Sequence, residues 1–334
     1  MKKNILITGV AGFIGFSLAQ KLLKLNWKVY GVDNLNSYYS ISLKKKRITQ
    51  LKKISNKNFF FFKTDIKNKN FLEKIFKKKK FDIVVHLAAQ AGVRYSLVNP
   101  KSYIETNLVG FFNIIDLSKN YNIKHFIFAS TSSVYGNLKK HPLKEDFLSD
   151  KPTQLYAATK KSNEVIAHSY SAMYNLKTSG LRFFTVYGPW GRPDMALFKF
   201  TKNIIEKKSI EIFNYGNHIR DFTFIDDIVL GIIKLITIKD FSKFYKDKNI
   251  PHIILNLANG NKVNLMDYIN CIENKLKIKS KKIFLPLQIG DILKTHGSII
   301  KSKKVLGYYP KTDYKLGIKK FIQWYIDYYL KKKY

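Results

Sequence analysis

The stretch Thr8-Gly9-Val10-Ala11-Gly12-Phe13-Ile14-Gly15 constrains this chain more than any other. A short apolar run, Asn4-Ile5-Leu6-Ile7, precedes it, and an amphipathic run ending near Leu25 follows. Strand, glycine turn and helix in that order form the entry of a dinucleotide-binding βαβ unit. Gly9 allows the tight turn, Gly12 lets backbone approach a pyrophosphate, and Gly15 lets the helix pack close on the strand. The helix N-terminus then presents N–H groups and a partial positive charge to the phosphates. Asp33 follows the next apolar run, Trp27 to Val32, about 20 residues on, where an acid takes the adenine-ribose hydroxyls. A glycine triplet alone also describes an ordinary turn. Strand, helix and Asp33 in register distinguish this one.

The first half alternates two periodicities. Strand-like runs fall at Ile5–Thr8, Val29–Val32, Phe59–Phe62, Ile83–His86, Phe126–Ala129 and Thr178–Phe183. Helical patterns lie between them, over 13–25, 40–53, 69–78, 100–121 and 154–174. Near-continuous apolar strands separated by helices imply an α/β fold, a Rossmann-like doubly wound parallel sheet covered on both faces. After Phe183 loops lengthen and Gly and Pro recur. Helices are expected over Ala196–Lys207, Ile225–Ile236, Leu265–Leu276 and Tyr314–Leu330, strands over Ile210–Phe213 and Ile253–Leu257, and a solvated loop over Asp240–Asn249. The expected division is a dinucleotide-binding domain over 1–181 and a smaller C-terminal substrate domain over 182–334, some of whose segments return to the first.

Composition narrows the function classes. One cysteine, Cys271, excludes an intrachain disulfide framework and an all-Cys metal site; it reads as a small buried hydrophobe, and no metal is expected. No secretory signal and no uncharged apolar run of membrane-spanning length is evident, so a cytoplasmic protein with no membrane partner is expected. The net charge of +37, from 60 Lys+Arg against 23 Asp+Glu, raises nucleic acid as a partner. The excess is mostly Lys in scattered runs (Lys44–Lys46, Lys77–Lys80, Lys331–Lys333), alongside many Ile, Asn, Phe and Tyr. That pattern fits AT-rich codon bias, so no nucleic-acid partner is expected. The charge should still attract anionic substrates.

Chemistry-bearing residues cluster at strand ends. Tyr156 and Lys160, at i and i+4, share a helical face. An ammonium beside a phenol favours phenolate and makes Tyr156 a general base. Thr131-Ser132-Ser133 follows the fifth strand, where Thr131 either binds a sugar hydroxyl or satisfies a strand-end turn. Asp65, after the third strand, either accepts from the adenine amino group or caps the next helix. His86-Leu87-Ala88-Ala89-Gln90 offers small residues against which a cofactor can lie. Arg94 is either a surface cation or a contact to a substrate anion.

Taken together, TGVAGFIG (8–15), VDNLNSYY (32–39), HLAAQAGVRYS (86–96), SSVYG (132–136), YAATKKSNE (156–164), GLRFFTVYGPWGRPDMALFKF (180–200) and RDFTFIDDI (220–228) carry a resemblance. The chain resembles the extended short-chain dehydrogenase/reductases of the NAD-dependent sugar-nucleotide epimerase/dehydratase family, from about Lys3 to Tyr329. Segment 180–200 is similar to the glucuronate 4-epimerase branch. One departure is Thr295-His296-Gly297-Ser298, where the family often has T-Y-A-D; there Ser298 is expected to supply a helix N-cap.

The resemblance implies roles. Gly9, Gly12, Phe13, Ile14, Gly15, Asp33 and Asn34 would bind the adenosine diphosphate of NAD, with Asp65 and Ile66 beside adenine and Leu87 and Ala89 beside the ribose and phosphates. A 2′-phosphate would face the Asp33 charge, which favours NAD over NADP. Thr131, Tyr156 and Lys160 would be catalytic, with Tyr156 and Lys160 also on the nicotinamide ribose. Arg94, Thr131, Ser132, Ser133, Tyr156, Thr185, Arg192 and Arg220 would meet a UDP-sugar. Family dehydratases resemble Thr-Asp-Glu at positions 131–133, and decarboxylases Thr-Ser-Glu; the acid-free triplet here fits epimerisation. The implied reaction is C4 epimerisation of UDP-glucuronate to UDP-galacturonate through a transient 4-keto sugar. That keto sugar is a β-keto acid able to lose CO2, so the site must hold its carboxylate. Alternatives are a UDP-glucuronate decarboxylase, a neutral UDP-hexose 4-epimerase and, in another class, a Rossmann-fold RNA-binding protein. Helices 100–121 and 154–174 would pair across a homodimer.

Overall fold

The six apolar runs of the first half form strands of one sheet in the computed structural model, which describes residues 3–288 and 290–331. They are β1 (Asn4–Thr8), β2 (Lys28–Asp33), β3 (Phe59–Lys63), β4 (Ile83–His86), β5 (His125–Thr131) and β6 (Thr178–Phe183). Helices α1 (Phe13–Lys24), α2 (Ile41–Ile54) and α3 (Lys69–Lys78) connect the early strands. The sheet order is β11-β6-β5-β4-β1-β2-β3, where β11 is His252–Leu257. Every neighbouring pair is parallel. The order reverses between β1 and β4, so the crevice for a ligand lies beyond the carboxyl ends of those strands. One apolar core contains Ile5, Ile7, Val29, Val85 and Ile127, and the other contains Leu6, Val32, Val84, Phe126 and Phe128. Burial on both faces is why these strands read as apolar runs instead of alternating.

The expected helix over 100–121 forms as a continuous run from Pro100 to Asn120, but its middle is π-helical. Short α4 (Tyr95–Val98) and α5 (Pro100–Tyr103) precede a π-helical stretch, Ile104–Val109, and α6 (Gly110–Asn120) follows. Inside the π stretch, buried Asn107 accepts from the Gln90 backbone N–H at 2.8 Å and donates to the Gln90 carbonyl at 3.1 Å and Thr159 Oγ1 at 3.1 Å. A single asparagine thus fastens the loop after β4 to α7 (Leu155–Tyr174).

The remaining elements are β7 (Thr185–Tyr187), α8 (Ala196–Ile205), β8 (Ile210–Phe213), β9 (Ile219–Arg220), β10 (Phe222–Phe224), α9 (Ile225–Thr237), β12 (Val263–Asn264), α10 (Leu265–Leu276), β13 (Lys282–Leu285), α11 (Ile300–Leu306) and α12 (Tyr314–Tyr325). Strand β13, which was not expected, pairs parallel with β8. The last expected helix passes into a π-helical turn over Ile326–Leu330.

Local expectations need correction at several points. Asn68, not Asp65, caps α3, accepting from Phe71 N at 3.1 Å. Ser298 does not cap α11: the cap residue is Ile299, while Ser298 is buried and its backbone pairs with Leu143 and Asn256. The 240–249 loop is not wholly solvated. Phe241 is fully buried against His125 and beneath the Lys177 ammonium. Lys44, in the first of the lysine runs, is 5% exposed and lines the central cavity. Of the tail lysines, Lys332 and Lys333 lie outside the described residues. Cys271 is half-buried against the core. Among the described residues no helix is long and apolar enough to cross a membrane.

Candidate active site

At the β1–α1 turn Gly9 takes φ +72°, and a Cβ there would lie 2.7 Å from Ala88 N. Only glycine lets β1 and the segment after β4 converge this closely. A Cβ on Gly15 would meet the Gly9 carbonyl at 2.2 Å, so the helix sits directly on the turn. No side chain caps α1 at Gly12, which leaves its leading N–H groups available to an anion. At the end of β2, Asp33 accepts from Ala11 N at 3.0 Å and Leu35 N at 2.8 Å. Burial raises its pKa, opposed by the Leu35 N–H, Lys44, the Ala11 N–H and Arg47.

A cavity of about 900 Å3 runs from this turn across the strand ends. It is lined by Gly9, Gly12, Phe13, Ile14, Gly15, Asp33, Asn34, Ile66, Leu87, Ala89, Arg94, Thr131, Tyr156, Lys160, Thr185, Arg192 and Arg220. Among the expected site residues, Asp65, Ser132 and Ser133 are not in the lining. Asp65 stands behind Asn34, accepting from its amide at 2.9 Å and from Lys67 N at 2.9 Å. Ser132 is buried in the 3-10 turn after β5, and Ser133 supports Thr131 through its backbone N–H at 3.2 Å.

Helix α7 delivers Tyr156 and Lys160. Lys160 is 1% exposed and its Nζ donates to the Ala129 carbonyl at 2.9 Å. Burial lowers its pKa to about 8. Burial raises the Tyr156 pKa, and the groups that oppose it are Arg192 and Thr131. The Lys160 ammonium is turned toward the β5 backbone. The Tyr103 ring stands edge-on to Tyr156 at 6.2 Å.

Two ion clusters flank these residues. Arg192 donates from Nε to Asp194 Oδ1 at 3.0 Å and from Nη2 to Oδ2, and Tyr38 OH donates to the same Oδ2 at 3.2 Å. Burial and Asp194 push the Tyr38 phenol up to about 12, so it remains a donor. On the other side Asp291 meets Arg220 Nη2 at 3.1 Å, His218 Nε2 at 3.4 Å and Arg94 Nη2 at 3.6 Å. Burial raises Asp291, but His218, Arg220 and Arg94 outweigh it and hold the carboxyl below its ordinary value. Sequence reasoning missed Tyr38, Lys44, Asp194, His218 and Asp291. Tyr38 and Asp194 lie inside segments 32–39 and 180–200, so their signal was present. Nothing local marks Asp291, which reaches the cavity from a loop.

Comparison with known proteins agrees with this geometry. Residues 5–265 match the NAD dependent epimerase/dehydratase family. The chain belongs to that family. Within it, the chain is 48% identical over 336 residues to Protein CapI of Staphylococcus aureus, covering 98% of this chain and 100% of that protein. It is 44% identical over 334 residues to UDP-glucuronate 4-epimerase 4 of Arabidopsis thaliana, covering 98% of this chain and 76% of that one. The crystal structure of the Bacillus cereus UDP-glucuronic acid 4-epimerase with UDP-glucuronic acid and NAD superposes with a TM-score of 0.89 at 33% identity, covering 98% of this chain and 100% of that one. The uncapped α1 terminus, the glycine contacts and Asp33 fit the adenosine diphosphate of NAD.

Proposed function

We propose that the protein interconverts UDP-glucuronate and UDP-galacturonate at C4, with NAD resident in the cavity. One observation carries this reading: Thr185 and Arg192, with the chemistry to hold an anion, line the same cavity as Tyr156 and Thr131, with the chemistry to take a hydroxyl proton. The family and the named relatives support it.

Gly9, Gly12, Phe13, Ile14, Gly15, Asp33, Asn34, Ile66, Leu87 and Ala89 hold the adenosine diphosphate half, with Asp65 orienting Asn34. Tyr156 and Lys160 hold the nicotinamide ribose. When bound, NAD supplies a two-electron acceptor that takes the C4 hydrogen and returns it to either face. Tyr156 takes the 4-hydroxyl proton, and Thr131 bridges that hydroxyl to the phenol. Lys160 keeps a positive charge in the same buried region. Arg192 and Thr185 hold the sugar carboxylate through charge-assisted and hydroxyl hydrogen bonds. Arg94 and Arg220 face the diphosphate.

Residues 182–334 act mainly as the substrate domain, with β11 returning to the central sheet. A homodimer through α6 and α7 fits the exposed Phe112, Val165 and Met173 on those helices. The cytoplasm, where UDP-sugars are made, is the expected location.

The test is proton NMR of UDP-glucuronate with purified protein and no added reductant. A UDP-galacturonate anomeric signal reaching one constant ratio from either direction is expected. A dominant pentose product would make the protein a decarboxylase, and faster turnover of UDP-glucose would make it a neutral-hexose epimerase.

A further inference from the structure

Arg47 on α2 is fully buried, yet all four of its hydrogen bonds go to neutral oxygens. Nη1 donates to the Ala11 carbonyl at 2.7 Å and to Tyr39 OH at 2.8 Å. Nη2 donates to the Trp190 carbonyl at 2.6 Å and to the Gly191 carbonyl at 3.3 Å. Ala11 lies inside the glycine turn, and Gly191 directly precedes Arg192. One planar group therefore spans two segments 179 positions apart, reading Ala11 against Trp190.

The far end of this span is itself tense. Trp190 takes φ +61°, a left-handed conformation costly for a bulky residue. Its ring is wedged between Phe16 at 5.2 Å, Trp324 at 5.5 Å and Tyr328 at 4.9 Å. With the ring fixed on one side and the carbonyl held by Arg47 on the other, the backbone entering Arg192 has one direction. A buried cation is an expensive way to fill space, since a shape-matched apolar residue is often as stable. A guanidinium's rigid planar fork aims separate N–H groups at carbonyls on two segments in fixed directions, whereas an ammonium is a single point donor.

We propose that Arg47 is a positioning residue that sets the spacing between the cofactor turn and the Arg192 carboxylate grip, and so keeps the keto acid from losing CO2. The inference rests on the epimerase reading above. In the 4-keto acid, breaking the C5–C6 bond releases CO2, the bond's electron pair passes into the C4 carbonyl as an enolate, and C5 takes a proton from water. That step requires the C5–C6 bond to lie parallel to the carbonyl π system. A carboxylate held close to the ring plane is denied that alignment, and a displaced Arg192 lets it swing out of the plane and restores it.

The experiment compares wild type, Arg47→Met and Arg47→Lys, each checked for folding by circular dichroism, with UDP-glucuronate as substrate. Both variants should raise KM by about 10-fold or more, as misplacement of a positioning group does, and should raise the pentose fraction of total product by a similar factor. The product fraction is counted per turnover, so a smaller folded population does not move it. A folded variant with wild-type KM and wild-type product fraction overturns the inference. Where Arg47→Met does not fold, Arg47→Lys decides on the same two readouts. A wild-type protein that makes no uronate epimer overturns the epimerase reading, and this inference with it.

Discussion

Arg192 is already paired with a carboxylate of its own chain, that of Asp194, through Nε at 3.0 Å and through Nη2. Burial pushes Asp194 up, but Arg192 outweighs it and keeps the carboxyl below its ordinary value. The pair pins the guanidinium in one orientation, so an arriving uronate meets a preset donor face instead of a mobile cation. Arg192→Met should therefore raise the KM for UDP-glucuronate by at least about 10-fold, the range for a charge-assisted bond, while changing that for UDP-glucose little. Initial rates with the two sugars check this; equal losses on both would place Arg192 away from the carboxylate.

Tyr156→Phe keeps the ring against Tyr103 and removes the proton acceptor. Turnover should fall by at least about 10²-fold, the low end for general base catalysis, with circular dichroism unchanged. Near-normal turnover would place the base elsewhere.

Burial lowers Lys160 to about 8 from an ordinary value of 10.5. Between those two values the unfolded chain binds more protons than the folded one, so this group makes cofactor-free stability rise with pH across that window. Below about pH 8 its cost to the folded state is fully present. Lys44, lowered to about 8 by burial, acts in the same direction. Lys160→Met should flatten part of the rise when urea midpoints of wild type and variant are compared on either side of the window. A wild-type rise that the variant reproduces in full would show that Lys160 is not its source.

Behind Thr131, Glu164 and Arg182 form a bidentate pair with both bonds at 2.8 Å, and Ser130 donates to the same carboxylate at 2.6 Å. Their side chains are 3% and 2% exposed. Glu164→Leu strands a buried guanidinium and should cost about 3–5 kcal/mol by denaturant titration. A loss within the range of a surface mutation would mean that Arg182 finds another anion.

The sheet was legible because its strands are buried on both faces: Asn4–Thr8 and Ile83–His86 each contain a run of three or more consecutive apolar residues with no polar alternation inside it. The glycine turn and the Tyr156–Lys160 pair were legible because each is a local spacing. Within 100–121 the apolar periodicity marks the helix but not its π stretch, and the long-range bonds of Asn107 to Gln90 and Thr159 hold the chain where the helix widens. Lys44 and Arg47 were hidden in a helix rich in Lys and Arg, where neither stands out from its neighbours. Their burial depends on Asn36, Tyr39 and Trp190 arriving from other parts of the chain.

Strand β11 lies at the sheet edge beside β6, although it ends at Leu257 and β6 ends at Phe183. During synthesis the nascent chain therefore displays the outer hydrogen-bonding edge of β6 until more than seventy further residues have left the ribosome. That edge is open to pairing with another chain throughout this interval. A fragment cut at residue 181 would carry the same fault permanently, with β6 shortened and its partner missing.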